Sequence, residues 1–254
     1  MLPYKDENPT ELTPVVTIGI IVANVVVWLL VQGGGVNGEQ LVRSVCELGL
    51  IPGEVLRTVP PGTAMPLGQG MRCLITAQPH WWTVLTSMFL HSGWLHILGN
   101  MWFLWVFGNN IEDSMGHARF VVFYVVCGVA AAAAQLVSDP RSAIPMVGAS
   151  GAISGVMGAY VVLYPRVRVH TIVWLGFFVT TVALRAYVIL GYWFVLQLLL
   201  GTAGALSRAQ GGGGVAVWAH VGGFLAGMAL IKLFANPEFL ERRRSRVIIL
   251  PRGV

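Results

Sequence analysis

The sequence predicts an all-α polytopic membrane protein with six transmembrane helices and a long outer loop between the first two. Of its 254 residues, 56% are hydrophobic and only 11% are charged, and the mean hydropathy is +0.72. A soluble domain has roughly 45–50% apolar and about 25% charged residues. One compact domain of this size cannot bury so much apolar surface, so much of the exterior is expected to face lipid.

Long uncharged segments give the positions of the spans, because about 20 helical residues cross the hydrocarbon core of a bilayer. No charged residue lies between Glu11 and Glu39, and no carboxylate lies between Asp139 and Glu238. The predicted spans are about Pro14–Val31, Trp94–Phe107, Ala118–Val137, Ser150–Tyr164, Ala186–Thr202 and Ala216–Phe234. The segment Thr171–Leu184 is aromatic and β-branched, and we interpret it as interfacial, with a seventh span as the alternative.

The charge distribution predicts that both termini are cytosolic. Residues 1–13 form a short N-terminal segment, 14–234 the membrane domain with its outer loop at 32–90, and 235–254 a basic tail. This orientation places the short basic loop 165–169 and the tail inside, in keeping with the positive-inside bias. We expect a multi-pass protein in contact with the lipid bilayer, and we assign it to a bacterial cell (inner) membrane. The net charge of +5 comes from few acids and the tail, so no nucleic-acid partner is expected.

The outer loop carries two of the three cysteines, Cys46 and Cys73. An outward loop meets an oxidising compartment, where such a pair can form a disulfide. A disulfide and two free thiols are equally compatible with the sequence. The third cysteine, Cys127, lies within a span and is interpreted as a packing residue.

Polar side chains near the second span are the first candidates for a functional site, because ionisable residues inside a membrane are costly. His96 and Asn100 are four residues apart, so they project from one face of a helix. His91 is five residues from His96 and is expected to precede the helix or face elsewhere. Interhelical hydrogen bonding is the structural alternative for these side chains.

The fourth span begins with a serine between glycines. Ser150 lies between Gly148 and Gly151, and a helix N-terminus offers free N–H groups to a developing oxyanion. Ser154, one turn later, is a weaker alternative nucleophile. A serine N-cap with small-residue packing is the structural alternative.

The sixth span carries His220 beside a row of small residues that includes Gly223 and Gly227. Such a row lets another helix approach closely. We expect that helix to be the fourth span, which would bring Ser150 within hydrogen-bond reach of the imidazole. No carboxylate lies in the last three spans, so the sequence permits a Ser-His dyad rather than a Ser-His-Asp triad. Neither a cofactor nor a metal site is expected.

At these residues the sequence resembles the rhomboid family of intramembrane serine proteases. The resemblance is carried by His91-x4-His96-x3-Asn100, Gly148-x-Ser150-Gly151 and Ala219-His220-x2-Gly223-x3-Gly227. It implies a six-helix core with Ser150 as nucleophile and His220 as general base. It also implies an oxyanion hole formed by Asn100, His96 and the Ser150 N–H, with His91 supporting a water-filled cavity. Substrates would be membrane-anchored proteins cut within or beside a transmembrane helix near the outer face.

Two positions depart from the family pattern. Trp82-Thr83 stands where the family often has Trp-Arg, and Ser154 stands where some members place an aromatic residue against the catalytic histidine. An aromatic contact to His220 would then have to come from elsewhere or be absent. The sequence leaves open the physiological substrate and the oligomeric state.

Three other functions are weaker interpretations. A non-catalytic rhomboid-like binder typically lacks the serine or the histidine, and this chain has both. A channel or transporter would need polar positions along several spans, and a metalloprotease would need a metal-ligand set such as HExxH, which the sequence lacks.

Overall fold

The computed structural model describes residues 1–68, 71–207 and 216–241, and the tail arginines from residue 242 onward lie outside this range. Most of the described chain is helical. The α-helices are α1 (Val15–Val26), α2 (Gly38–Leu48), α3 (Pro52–Val55), α4 (Thr83–Thr86), α5 (Trp94–Met115), α6 (His117–Ser138), α7 (Ser150–Leu163), α8 (Ala186–Ser207) and α9 (Val217–Phe234). The strands are β1 (Leu2–Asp6), β2 (Ala64–Gly68), β3 (Met71–Leu74), β4 (Arg168–Leu175) and β5 (Phe178–Arg185).

Helices occupy all six positions at which the sequence predicts spans. Three are long and apolar enough to cross a membrane on these criteria alone: α6, α9 and residues Ala186–Gly204 of α8. Val15–Val31, which comprises α1 and a π-helical turn, and α7 are shorter apolar helices. The chain is therefore a multi-pass integral membrane protein, and the number of six spans stays a prediction.

Helix α5 extends eight residues beyond the predicted end at Phe107, and its last turns bury two carboxylates. Glu112 is completely buried. Its oxygens accept hydrogen bonds from the Val16 N–H (2.9 Å), the Thr17 N–H (2.8 Å) and the Thr17 hydroxyl (2.7 Å). These N–H groups belong to the first turn of α1, where a backbone N–H has no acceptor within its own helix. Glu112 thus serves as an N-terminal cap for α1 from a neighbouring helix.

The predicted outer loop, residues 32–90, is structured by short elements and by one disulfide. It contains α2, α3, α4 and the two-stranded sheet of β2 and β3. Cys46 of α2 and Cys73 of β3 form a disulfide, with Cα atoms 5.3 Å apart. The question that the sequence left open is thereby answered in favour of the disulfide.

The segment Thr171–Leu184 forms most of a β-hairpin, so the alternative of a seventh transmembrane helix is wrong. Strands β4 and β5 pair in register from Arg168–Arg185 to Leu175–Phe178, and β1 adds to β4 in the order β1-β4-β5. The many β-branched and aromatic residues in this segment favour strands over helix. The sequence predicted an all-α fold. The structure is mainly helical, and the two sheets are additions that the sequence analysis did not predict.

Helix α7 is the central helix, with every residue from Gly151 to Tyr160 buried. It contacts α9, α6 and α5. The closest approach is to α9: a Cβ atom at Gly223 would overlap the Gly151 carbonyl oxygen, and one at Gly227 would overlap that of Gly155. The contact predicted from the two glycine rows is therefore present, with backbone directly against backbone.

Candidate active site

Ser150 and His220 are joined by a hydrogen bond across the contact between α7 and α9. Ser150 is the first residue of α7 and His220 lies in the first turn of α9. The Ser150 Oγ and His220 Nε2 atoms are 2.7 Å apart although the residues are 70 positions apart in sequence. The glycine row brings the two helices close enough for the Ser150 and His220 side chains to meet.

This pair can act as a nucleophile and its base. When the imidazole is neutral and unprotonated at Nε2, the Ser150 hydroxyl donates to it and can transfer its proton as Oγ attacks an electrophile. The free N–H groups of the first turn of α7 lie at the N-terminal end of the helix, beside Ser150, where they favour negative charge. The alternative nucleophile Ser154 is fully buried, and its hydroxyl donates to the Ser150 carbonyl oxygen at 2.6 Å.

His96 presents a donor to the space beside Ser150. The Ser92 backbone N–H donates to His96 Nδ1 at 3.3 Å, and the Ser92 Oγ lies 3.0 Å from the same atom. Because a backbone N–H can only donate, Nδ1 is the acceptor and the neutral ring carries its proton on Nε2. A Cβ atom at Gly148 would lie 2.8 Å from His96 Nε2 and 3.5 Å from Ser150 Oγ. The missing side chain therefore leaves open the space that these two atoms border.

The backbone conformation at position 148 also requires glycine. Its φ of +128° lies in a region that side-chain-bearing residues rarely adopt. The Gly148 N–H donates to the Ser87 carbonyl oxygen at 2.9 Å, which fixes the loop that leads into α7.

Asn100 lies one turn after His96 on α5, with 7% of its surface exposed. Among the described residues, its Nδ2 has no hydrogen-bond partner. A buried amide donor without a partner is costly, and such a group in a pocket is suited to a ligand atom. Asn100 and His96 can together act as donors to an oxygen that develops charge beside Ser150.

His91 precedes α5, as the sequence predicted, and is completely buried. Its ring meets that of His96 edge to face, with centroids 5.1 Å apart. Gln32 holds its backbone in place, because the His91 N–H donates to Gln32 Oε1 and the Gln32 amide donates to the His91 carbonyl, each at 2.8 Å. The His91 ring therefore packs directly against the His96 ring.

A cavity of about 730 Å³ lies against this set of residues. Its wall includes residues of the outer loop, of α5 and α6, and of the α7–α9 contact. Of the site residues described so far, those that line it are His96, Asn100, Gly148, Ser150, Gly151 and His220. In the part of the chain that the structure describes, no group of three or more His, Cys, Asp or Glu side chains is arranged to hold a metal ion.

Sequence reasoning missed two residues of the site, both on α8. Gln197 Oε1 lies 2.8 Å from His220 Nδ1, and the ring of Trp193 lies 5.8 Å from that of His220. Trp193 thus supplies the aromatic contact that Ser154 cannot. The available signal was a lone glutamine in an otherwise apolar helix, one turn after a tryptophan.

The fold and this site define a multi-pass membrane protein whose central helix begins at a serine paired with a histidine of the last helix. The Rhomboid domain family matches residues 78–237, which is more than half of the chain. The chain belongs to the rhomboid family.

Several individual proteins are similar to it. Rhomboid protease GluP of Bacillus subtilis (strain 168) is 33% identical over 185 residues, covering 71% of this chain and 32% of that protein. Putative rhomboid protease YdcA of the same organism is 36% identical over 84 residues, covering 33% of this chain and 42% of that protein. Rhomboid-like protein 11, chloroplastic, of Arabidopsis thaliana is 28% identical over 161 residues, covering 62% of this chain and 54% of that protein. The matched regions thus span from 32% to 54% of the length of these relatives.

Proposed function

We propose that this chain is an intramembrane serine endopeptidase that cleaves membrane-anchored proteins within or next to a transmembrane helix near the outer face of the membrane. The observation that carries the proposal is the 2.7 Å hydrogen bond between Ser150 Oγ and His220 Nε2 at the wall of the cavity. Membership of the rhomboid family supports the same class of reaction. The retained Ser-His pair favours catalysis over a purely binding role.

In the proposed reaction, Ser150 is the nucleophile and His220 the general base. Ser150 Oγ attacks the scissile carbonyl carbon while its proton moves to His220 Nε2. The resulting imidazolium then gives that proton to the leaving amine, and the C–N bond breaks to leave an ester on Ser150. Water, deprotonated by the same nitrogen, hydrolyses the ester and regenerates the serine.

The oxyanion of each tetrahedral intermediate would be stabilised from three directions. The donors are the Asn100 amide, the His96 Nε2–H and the Ser150 backbone N–H. In a site walled by close-packed helices, such preoriented donors are worth more than in water. His91 supports His96, and Gly148 leaves the space that the oxyanion needs.

The position of Ser150 along α7 predicts where substrates are cut. Ser150 begins the helix, and the opposite end at Leu163 leads into the basic loop 165–169 that the charge distribution places inside. The nucleophile would then lie toward the outer leaflet, with both termini of the chain cytosolic.

This depth gives a testable outcome in proteoliposomes. Two single-pass substrates would carry the same Gly-Pro helix-weakening pair, one near the outer end of its transmembrane segment and the other near the inner end. Because a helix must unwind before attack, and unwinding in lipid is costly, we expect cleavage only of the outer variant. Mass spectrometry of the products identifies the bond that is cut, and Ser150→Ala protein controls for contaminating proteases. Cutting at the inner end would contradict the proposed depth.

Replacement of Asn100 tests the oxyanion hole. We expect Asn100→Ala to lower kcat by about 10²- to 10³-fold with little change in KM, since one donor to the transition state is lost while two remain. Asn24→Ala is the matched control, because Asn24 is also a buried asparagine in an apolar helix but does not line the cavity. Steady-state kinetics in detergent would measure both, and an unchanged kcat for Asn100→Ala would assign Asn100 a structural role only.

A further inference from the structure

The side of His220 that faces away from Ser150 contacts helix α8. Gln197 Oε1 lies 2.8 Å from His220 Nδ1, while Ser150 Oγ lies 2.7 Å from Nε2. The imidazole is therefore held at both nitrogens by side chains from two different helices. The rhomboid motifs in the sequence contain Ser150 and His220 but not Gln197.

The two hydrogen bonds are linked through the protonation of the ring. A neutral imidazole has one N–H and one acceptor nitrogen. The amide oxygen of Gln197 can only accept, so it favours the tautomer with the proton on Nδ1. That tautomer has its lone pair on Nε2, directed at the Ser150 hydroxyl. In the other tautomer Nε2 carries the proton and cannot accept one from Ser150.

We propose that Gln197 is a positioning residue that selects the base-competent tautomer of His220. The inference rests on the proposed serine protease function, in which His220 must accept the Ser150 proton. In this arrangement Gln197 acts on the reaction through the histidine, to which both it and Ser150 are hydrogen-bonded. It would take the place that a buried carboxylate occupies in a Ser-His-Asp triad.

Trp193, which lies on the same helix as Gln197, restricts rotation of the His220 ring. It lies one turn before Gln197, with its ring centroid 5.8 Å from that of His220 and 6.0 Å from that of Phe224. Side chains four residues apart project from one face of a helix, so α8 presents an aromatic surface and an amide oxygen together. The aromatic contact limits rotation of the imidazole, and the amide fixes its protonation.

The choice of an amide suits a site inside a membrane protein. A carboxylate at this position would bring a formal charge into a helix with no other charged residue between Ala186 and Ser207. Burying such a charge is costly unless it is paired. An amide oxygen supplies the hydrogen-bond acceptor without that cost. The histidine of a Ser-His dyad can therefore be oriented although the last three predicted spans contain no carboxylate.

Three variants in the full-length protein test the role of Gln197. Gln197→Leu removes the acceptor, Gln197→Glu retains a carbonyl or carboxylate oxygen at the same reach, and Val195→Leu is the control on the exposed face of α8. We expect Gln197→Leu to lower kcat by about 10- to 100-fold with KM unchanged, because the reactive tautomer is no longer favoured. Gln197→Glu should recover at least part of this loss, and Val195→Leu should match wild type.

A spectroscopic measurement separates positioning from a general structural effect. In protein labelled with ¹⁵N at the imidazole nitrogens, the His220 signals are assigned by comparison with His220→Ala. Wild type should show a protonated Nδ1 and an unprotonated Nε2, and Gln197→Leu should show a mixture of the two tautomers. This readout does not need turnover, so it also applies if Gln197→Leu is inactive for another reason.

The outcomes distinguish this inference from the proposed function. If Ser150→Ala abolishes cleavage while Gln197→Leu keeps the wild-type kcat and tautomer, the protease proposal stands and the role of Gln197 is wrong. If Ser150→Ala cleaves normally, the proposed function itself fails. If Gln197→Leu does not fold, Gln197→Asn shortens the side chain by one methylene, and an unchanged Nδ1 proton in that variant would overturn the inference.

Discussion

Replacement of either member of the Ser150–His220 pair is expected to abolish proteolysis. Ser150→Ala removes the nucleophile and His220→Ala the base, and each should lower the rate by about 10⁴-fold or more. The double variant should be little worse than either single variant, because the two groups act as a unit. Cleavage of a tagged single-pass substrate in liposomes would measure all three.

The matched control for this experiment is Ser154→Ala. Ser154 lies on the same helix, one turn later, and its hydroxyl donates to the Ser150 carbonyl oxygen. We expect this variant to keep most of its activity, because the Ser154 hydroxyl donates to a carbonyl oxygen and not to a histidine. Thermal unfolding of each variant in detergent would confirm that the losses are not caused by misfolding. Loss of activity in Ser154→Ala but not in Ser150→Ala would show that Ser154 is the nucleophile.

Much of the site could be predicted because its residues contrast with their surroundings. His96, Asn100 and His220 are hydrogen-bonding side chains in apolar segments, and Ser150 stands at a glycine-rich helix start. The contact that unites them was also predictable, since small residues every fourth position allow helices to approach closely. A local pattern therefore encodes each residue and, through the glycine rows, the contact between the two helices.

Gln197 could not be assigned in the same way. Its partner, His220, is 23 positions away on the next helix, and no periodic pattern links the two. Whether a glutamine on α8 reaches the histidine depends on the rotation of α8 about its axis and on its packing against α9. Those quantities follow from the whole set of side chains in the contact, which the sequence of α8 alone does not determine.

The burial of the Glu112 carboxylate could not be predicted from the charge distribution. The predicted second span ends at Phe107, whereas helix α5 continues to Met115 and includes Glu112. An isolated carboxylate is seldom buried, because burial of an unpaired charge is costly. Glu112 can be buried because it is hydrogen-bonded to the free N–H groups at the start of α1.

The hairpin of β4 and β5 could not be predicted for a different reason. A short apolar, β-branched segment is compatible with several structures.

The contact between α7 and α9 should tolerate no side chain at Gly223. A Cβ atom there would overlap the Gly151 carbonyl oxygen, and neither backbone can move without shifting its helix. Overpacking of this kind typically costs about 1–3 kcal/mol of stability. Displacement of α9 would also lengthen the 2.7 Å distance between Ser150 and His220.

We therefore expect Gly223→Ala to lose about 10²-fold or more in kcat, because a shift of about 1 Å in a catalytic group can have that effect. Its unfolding temperature in detergent should fall as well. Gly191→Ala is the matched control: Gly191 is a helical glycine of α8 whose added Cβ would meet no atom within 4 Å. That variant should keep its activity and be at least as stable as wild type, since alanine favours helix more than glycine does. Full activity in Gly223→Ala would mean that the distance between the two helices does not control the reactivity of the pair.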